Sequence, residues 1–323
     1  MKLGPLLKLV LRLTVFSAPL ILGIGFLERG LRSMPTPSTE KHKILVERGP
    51  SAEIVIFGSS HADAGLDPAK FPCSAINLAN DGQTLDIDLA LMRELVRGPG
   101  RLQVLIVPVS LFSFHVSSGD FARLPEKVPR KLLGLDVPNV DWLSHWLGQS
   151  RVVKATPHTA IGFALRGFVP LPHEVTNLGW TPDPVKPGRT SIREASTKAE
   201  FHRMAMANDH QKEATLALLA ILEIAKGVHA APVLLVTPFH RNYLAAWAPS
   251  ELAEFRARLS AIAYDYRVVV ADYSQDPRFS DPDFADADHL SPGGAQRFSR
   301  ILASEVIGPL VRCEGVAGGK WAP

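Results

Sequence analysis

A serine that directly follows an apolar run is the first residue here whose type and position suit chemistry. Ile54-Val55-Ile56-Phe57 leads into Gly58-Ser59-Ser60-His61, which puts a hydroxyl in a sharp turn at a strand's carboxyl end. A nucleophilic serine needs that exposure, although glycine and serine are also ordinary turn residues. A second constellation lies far along the chain, in Asp286-Ala287-Asp288-His289-Leu290-Ser291-Pro292. Over one turn of chain, Asp286 can accept from one imidazole nitrogen of His289 and fix its tautomer. The other nitrogen is then left to take the proton of Ser60. Within the same blocks, His61 reads as a structural partner of the turn. Asp288 reads as solvent-facing or as a salt-bridge partner, and becomes the rival acid if the aspartate–histidine spacing is off by a turn.

Such groups need a rigid frame. Short β-branched runs at residues 53–57, 75–78, 104–109, 233–237 and 267–271 alternate with helical periodicity, the pattern of an α/β fold whose parallel sheet is covered by helices. Helices are expected at 85–97, ending at Gly98-Pro99-Gly100, at 214–226, ending at Gly227, and at 251–264. A last helix opens at Ser291-Pro292, an N-cap followed by proline at the first helical position. Between the third and fourth strands, residues 111–198 are rich in proline and carry Trp142, Trp146 and Trp180. They read either as an insertion over the sheet's carboxyl edge, where open α/β sheets bind ligands, or as a structural flap. His240 and Arg241 follow the fourth strand on that edge and are candidates to bind an anionic or sugar substrate.

The first residues differ in character. Lys2, Lys8 and Arg12 precede an uncharged stretch from Leu13 to Leu27, close to the minimum spanning length of roughly 17 residues. A cleaved signal peptide and an uncleaved signal anchor compete; the anchor is favoured because no small-x-small site follows the apolar run convincingly. Arg29, Arg32, Lys41 and Lys43 follow the span, so the positive-inside rule does not fix its orientation. The expected organisation is an anchor over 1–32, a linker over 33–50 and one large domain over 51–323.

Composition excludes several classes. With 46% hydrophobic and 21% charged residues the chain buries a sizeable core and is not a disordered protein. Lysine plus arginine (35) nearly balance aspartate plus glutamate (32) without forming a stripe, so nucleic-acid binding has no electrostatic support. Two cysteines, Cys73 and Cys313, rule out a disulfide framework and a CxxC metal site. Far apart in sequence, they read as unpaired thiols. Scattered histidines give no metal motif, and no cofactor is expected.

Taken together, the blocks resemble the SGNH/GDSL hydrolase superfamily, in particular its membrane-anchored bacterial branch, where G-D-S is written G-S-S-H and the C-terminal block reads D-x-D-H-L. The resemblance implies a three-layer α/β/α sandwich with a flavodoxin-like strand order. It implies Ser60 as nucleophile, Asp286 as orienting acid and His289 as base, with oxyanion donors at Ser60 and at Gly82 in Asn77-Leu78-Ala79-Asn80-Asp81-Gly82. The family's G-x-N-D block is missing, since the third strand ends Val107-Pro108-Val109-Ser110. A third oxyanion donor would come from Ser110 or from Asn80. The implied activity is that of an esterase or O-acyltransferase working through an acyl-serine on acylated cell-envelope glycan. The implied location is the inner membrane, single-pass, with a periplasmic catalytic domain. The rival reading is a non-catalytic scaffold or carbohydrate-binding protein built on the same shell.

Overall fold

The computed structural model describes residues 4–33, 36–118, 175–183, 190–207 and 210–313, with isolated positions between 162 and 167. Most of the expected insertion, including Trp142 and Trp146, lies outside the described residues. The chain divides into two compact units, Met1–Thr36 with Asn139–His173, and Pro37–Pro138 with Glu174–Pro323.

Of the first unit the main described element is helix α1 (Pro5–Ser33), with Pro19 inside it. Its stretch Arg12–Leu31 has a mean hydropathy of 1.3 and, by length and composition, is long and apolar enough to cross a membrane.

The second unit carries a five-stranded sheet, all parallel, in the order β2-β1-β3-β4-β5. In chain order its elements are α2 (Pro37–Arg48), β1 (Ile54–Ile56), α3 (Ser60–Gly65), β2 (Ala75–Asn77), α4 (Leu85–Leu95) and β3 (Val104–Pro108). From the end of the expected insertion onward come α5 (Ile192–Met206), α6 (Gln211–Gly227), β4 (Ala231–Val236), α7 (Arg241–Ala245), α8 (Pro249–Tyr266), β5 (Val269–Asp272) and α9 (Pro292–Leu302). The five expected strands and four expected helices are present with ends shifted by a few residues.

The central strands are apolar on both faces, and alternation sends neighbouring residues to opposite layers. Val55, Leu105, Val107, Leu234 and Val236 pack in one core with Leu91 and Met92 of α4, Leu218 and Ile221 of α6 and Leu259 of α8. Ile54, Ile56, Val104, Ile106, Val233 and Leu235 join the other core, with Ala62 of α3 and Phe298 and Leu302 of α9. The result is three layers, α/β/α. Because β2 and β3 flank β1, the chain leaves β1 on one side and returns on the other. This opens a crevice at the carboxyl ends of those strands.

Two expectations are corrected. Residues 37–48, inside the stretch read as a linker, form helix α2, and it is built into the domain. Lys41 is 2% exposed; its Nζ lies 2.5 Å from Asp63 Oδ1 of α3 and also donates to the carbonyl of Ala79. Burial lowers the Lys41 pKa and raises that of Asp63, each against the pull of its partner.

The cysteines are also paired, Cys73 to Cys313, with Cα atoms 5.2 Å apart. Distance along the chain says little about distance in space here. Gln103, just before β3, donates to the carbonyl of Arg312 at 3.0 Å and accepts from its N–H at 2.7 Å. The C-terminal segment is thereby drawn to the sheet's amino edge, where Cys73 precedes β2.

Removing one partner of a buried ion pair leaves the other uncompensated. Lys41→Met is therefore expected to cost about 3 kcal/mol or more in thermal unfolding, and Lys41→Met with Asp63→Leu to recover much of the loss.

Candidate functional site

The carboxyl end of β1 turns through Gly58, whose φ of +109° suits glycine, and where a Cβ would lie 3.2 Å from Pro108 of β3. Gly58 N–H donates to Asp88 Oδ1 at 3.2 Å, and the Gly58 carbonyl accepts from Asn80 N–H at 3.1 Å. The turn after β1 and the loop after β2 are thus fixed to each other. Gln83 Nε2 adds a 2.7 Å bond to the same Asp88 oxygen. Burial raises the Asp88 pKa to about 7, opposed by these bonds. Asn77, fully buried at the end of β2, donates to the carbonyls of Ala62 and Leu66 and accepts from Ala79 N–H. It locks α3 to the same loop.

α3 begins at Ser60. The loop ahead of α9 brings the second constellation to it. Phe284 and Leu290 form an antiparallel bridge, Ala285 N–H donates to the carbonyl of His289, and Ser291 caps α9 by accepting from Gly294 N–H at 3.2 Å. Inside this closed loop Asp286 accepts from the N–H groups of Asp288 and His289 at 3.1 and 2.9 Å. Its two oxygens lie 3.0 and 2.9 Å from His289 Nδ1. His289 Nε2 is 2.8 Å from Ser60 Oγ. Burial disfavours the charged imidazole, but Asp288 and Asp286 outweigh it and raise the His289 pKa above the ordinary histidine value.

Ser60, Asp286 and His289 border a cavity of about 430 Å³, together with Ser59, Asp63, Asp81, Gly82, Phe112, Thr181, Asp183, Lys198, Phe201 and His202. Gly82 has a φ of +68°. Trp180, the described tryptophan of the insertion, is buried and donates Nε1–H to the carbonyl of Ala64 at 2.8 Å, so there it acts as a core residue.

Not every expected site residue reaches this cavity. Ser110 and Asn80 do not line it. Ser110 is buried with its Oγ 3.0 Å from Ser113 Oγ, and its N–H donates to that same oxygen. Phe112 of the loop after β3 reaches the cavity instead. His240 and Arg241 also lie elsewhere, on a separate cavity of about 420 Å³ shared with Phe239, Gln275, Phe279 and Asp281. They follow β4, two places along the sheet from β1, and both pair with Asp281, at 3.1 and 2.8 Å. His240 serves the site indirectly, because its N–H donates to the carbonyl of Ala287 at 3.2 Å and so supports the aspartate–histidine loop.

Asp288 is not solvent-facing. Its side chain is 1% exposed; Oδ2 lies 3.0 Å from His61 Nε2, and Oδ1 lies 3.4 Å from Lys198 Nζ, an ion pair that makes Asp288 the salt-bridge partner the other expectation named. Burial lowers the His61 pKa despite Asp288, so its neutral ring donates Nε2–H to the carboxylate. Behind them, His202 Nδ1 is 2.7 Å from the Tyr243 hydroxyl, and burial lowers the His202 pKa to about 3. His202 and Tyr243 carried no sequence signal, since a histidine and a tyrosine on two different helices acquire this role only through packing.

The ligand atoms of His61, Asp288 and His289 lie within 4.8 Å of one another, as do those of Asp183, Asp286 and His289. Yet His289 Nδ1 and Nε2 and His61 Nε2 are already engaged with Asp286, Ser60 and Asp288. The arrangement fits a chain of hydrogen bonds that can move a proton from a serine hydroxyl to an imidazole.

No family model matches the chain, and no curated protein matches it. Among solved structures it is similar to a protein of Bacteroides fragilis NCTC 9343 provisionally described as an acylhydrolase. The identity is 14% and the TM-score 0.40, covering 88% of this chain and 95% of that one. It is also similar to a Streptococcus pneumonia protein provisionally described as a platelet activating factor, at 12% identity and a TM-score of 0.42, covering 89% of this chain and 98% of that one. Both TM-scores lie below 0.5.

Proposed function

We propose that the protein is a serine-dependent esterase or O-acyltransferase of the SGNH/GDSL kind, working through an acyl-Ser60 intermediate. The observation that carries this reading is the continuous chain from Ser60 Oγ through His289 to Asp286, open to a cavity. His289 Nε2 takes the Ser60 proton as Oγ attacks the ester carbonyl. The oxyanion is received by the N–H groups of Ser60 and Gly82. His289 then protonates the departing alkoxide oxygen, leaving the acyl group on Oγ. In the second half His289 deprotonates water or an acceptor hydroxyl, the new oxygen attacks the acyl carbon, and Ser60 recovers its proton. Water gives an esterase and a sugar hydroxyl gives a transferase. Asp286, bonded to Nδ1, sets the tautomer this sequence requires.

The substrate belongs with the location. An apolar N-terminal helix and a disulfide in the domain both suit a protein tethered at the inner membrane with its domain in the oxidising periplasm. An acylated envelope glycan is then the substrate class within reach. The scaffold reading draws support from Ser110, which is turned to Ser113 and leaves the oxyanion site without the side-chain donor expected after β3.

A serine-reactive phosphonate fluorophore should label the wild-type chain and Ser59→Ala, but not Ser60→Ala; an unlabelled wild type means a scaffold. Asp286→Asn should lower kcat for an aryl acetate by about 10⁴-fold, as loss of a tautomer-setting aspartate does. An alkaline phosphatase fusion after Arg48 should be active and membrane-bound. An inactive fusion paired with an active cytoplasmic reporter would put the domain inside the cell and remove the envelope glycan as substrate.

A further inference from the structure

The environment of Asp288 is unusual for a residue that merely neighbours the site. Its carboxylate is almost fully buried, where a charge is costly unless paired. Oδ2 is held by His61 at 3.0 Å and stands 3.8 Å from His202 Nε2. Oδ1 lies 3.5 Å from His289 Nδ1 and is paired with Lys198 Nζ at 3.4 Å. That oxygen faces the imidazole nitrogen that Asp286 already engages.

We propose that Asp288, fixed by His61, is a positioning residue for His289: a second carboxylate that faces Nδ1 from the buried side and steadies the imidazolium formed when Ser60 gives up its proton. Its catalytic meaning rests on the serine-hydrolase reading above. The two carboxylates divide the work by position. Asp286 borders the cavity and makes the hydrogen bond to Nδ1, whereas Asp288 acts through its field from a site that water does not screen. A neutral donor suits that purpose, since His61 satisfies Oδ2 without cancelling the charge. The His61 ring also stands against that of His289, with centroids 5.3 Å apart. The histidine after the nucleophile and the second aspartate of the D-x-D-H block are therefore one device, although they stand 227 residues apart.

The groups facing His289 are Asp286 and Asp288 from its own loop, Ser60 and His61 from α3, Lys198 and His202 from α5, and Asp183 from the described end of the insertion. Lys198 offsets part of the Asp288 field, but burial and the two carboxylates leave the His289 pKa raised overall. The sign follows. His289 must be neutral to act as base, so kcat/KM falls as pH drops through its pKa. Removing the Asp288 charge lowers that pKa and moves the acid limb to lower pH.

The test uses the full chain in detergent and two readouts. One is the acid limb of kcat/KM for an aryl acetate, and the other is the NMR titration of the His289 imidazole, identified with His289→Gln. Asp288→Asn should move both to lower pH by about one unit, the low end of what a neighbouring opposite charge does, with KM little changed. His61→Phe should do the same, because Asp288 without its donor takes up a proton. His61→Gln, which keeps a donor, should stay near wild type, and Asp288→Asn with His61→Phe should move no further than either alone. If Asp288→Asn and His61→Phe lower only the melting temperature and leave the His289 titration where it was, Asp288 is a structural ion partner and the proposal is wrong. A wild-type chain that neither turns over ester nor takes the phosphonate would refute the hydrolase reading, while the titration still decides whether Asp288 acts on His289.

Discussion

The hydrogen bond between Ser60 and His289 joins residues 229 positions apart, and a proton crosses it only if the distance holds to a few tenths of an ångström. Closing a loop of that length is entropically costly, so other contacts must fix the first and last blocks to each other. They do so as a series. The Asp67 N–H donates to Ser299 Oγ at 2.8 Å, joining the segment after α3 to α9. His61 meets Asp288 one residue away from Ser60 and His289. The Cys73–Cys313 bond and the Gln103–Arg312 pair do the same at the amino edge of the sheet. Ala62 of α3 and Phe298 of α9 bury in one core between these ties.

Polar groups set beneath the site serve a second constraint, the relation between the turn after β1 and the loop after β2. In the proposed reaction the N–H groups of Ser60 and Gly82 share one oxyanion, which requires those two segments to keep their spacing. Asp88 holds Gly58, Gly58 holds Asn80, and Asn77 holds both α3 and Ala79. Lys41 adds a third stitch, reaching from α2 to Asp63 on one segment and to the carbonyl of Ala79 on the other. The helix that directly follows the membrane-type segment in sequence thus contributes to the frame of the site.

What could be read in advance depended on how local its cause was. The strands were legible because β-branched runs buried on both faces leave a one-dimensional signal. The end of the last connection was legible because Ser291-Pro292 is a capping pattern. The spacing of Asp286 and His289 was legible because both lie in one short loop. Lys41 reads as linker because a lysine among Thr39, Glu40, His42 and Lys43 gives no hint of a buried carboxylate waiting for it. The Cys73–Cys313 pair was hidden by the chain between its members, and the burial of Asp288 by the dependence on His61 and His202 from two other elements. His240 and Arg241 were placed correctly on the carboxyl edge, but strand order sets position along that edge, and β4 lies beyond β3 from the crevice.

The same strand order explains how the two edges of the sheet come to carry different loads. At the carboxyl edge, segments after β1, β2 and β3 converge with the aspartate–histidine loop around the cavity and leave Ser60 open to it. A covalent tie there would compete with substrate for space. At the amino edge the chain enters the strands, no cavity-lining group is needed, and the disulfide and the Gln103–Arg312 pair can close the fold without touching the chemistry. Strands β1, β2 and β3, which run between the two edges, are buried throughout and only a few residues long, so packing couples one edge to the other. The short length of β1 and β2 is therefore an advantage: few residues separate the staple from the turn that carries Ser60.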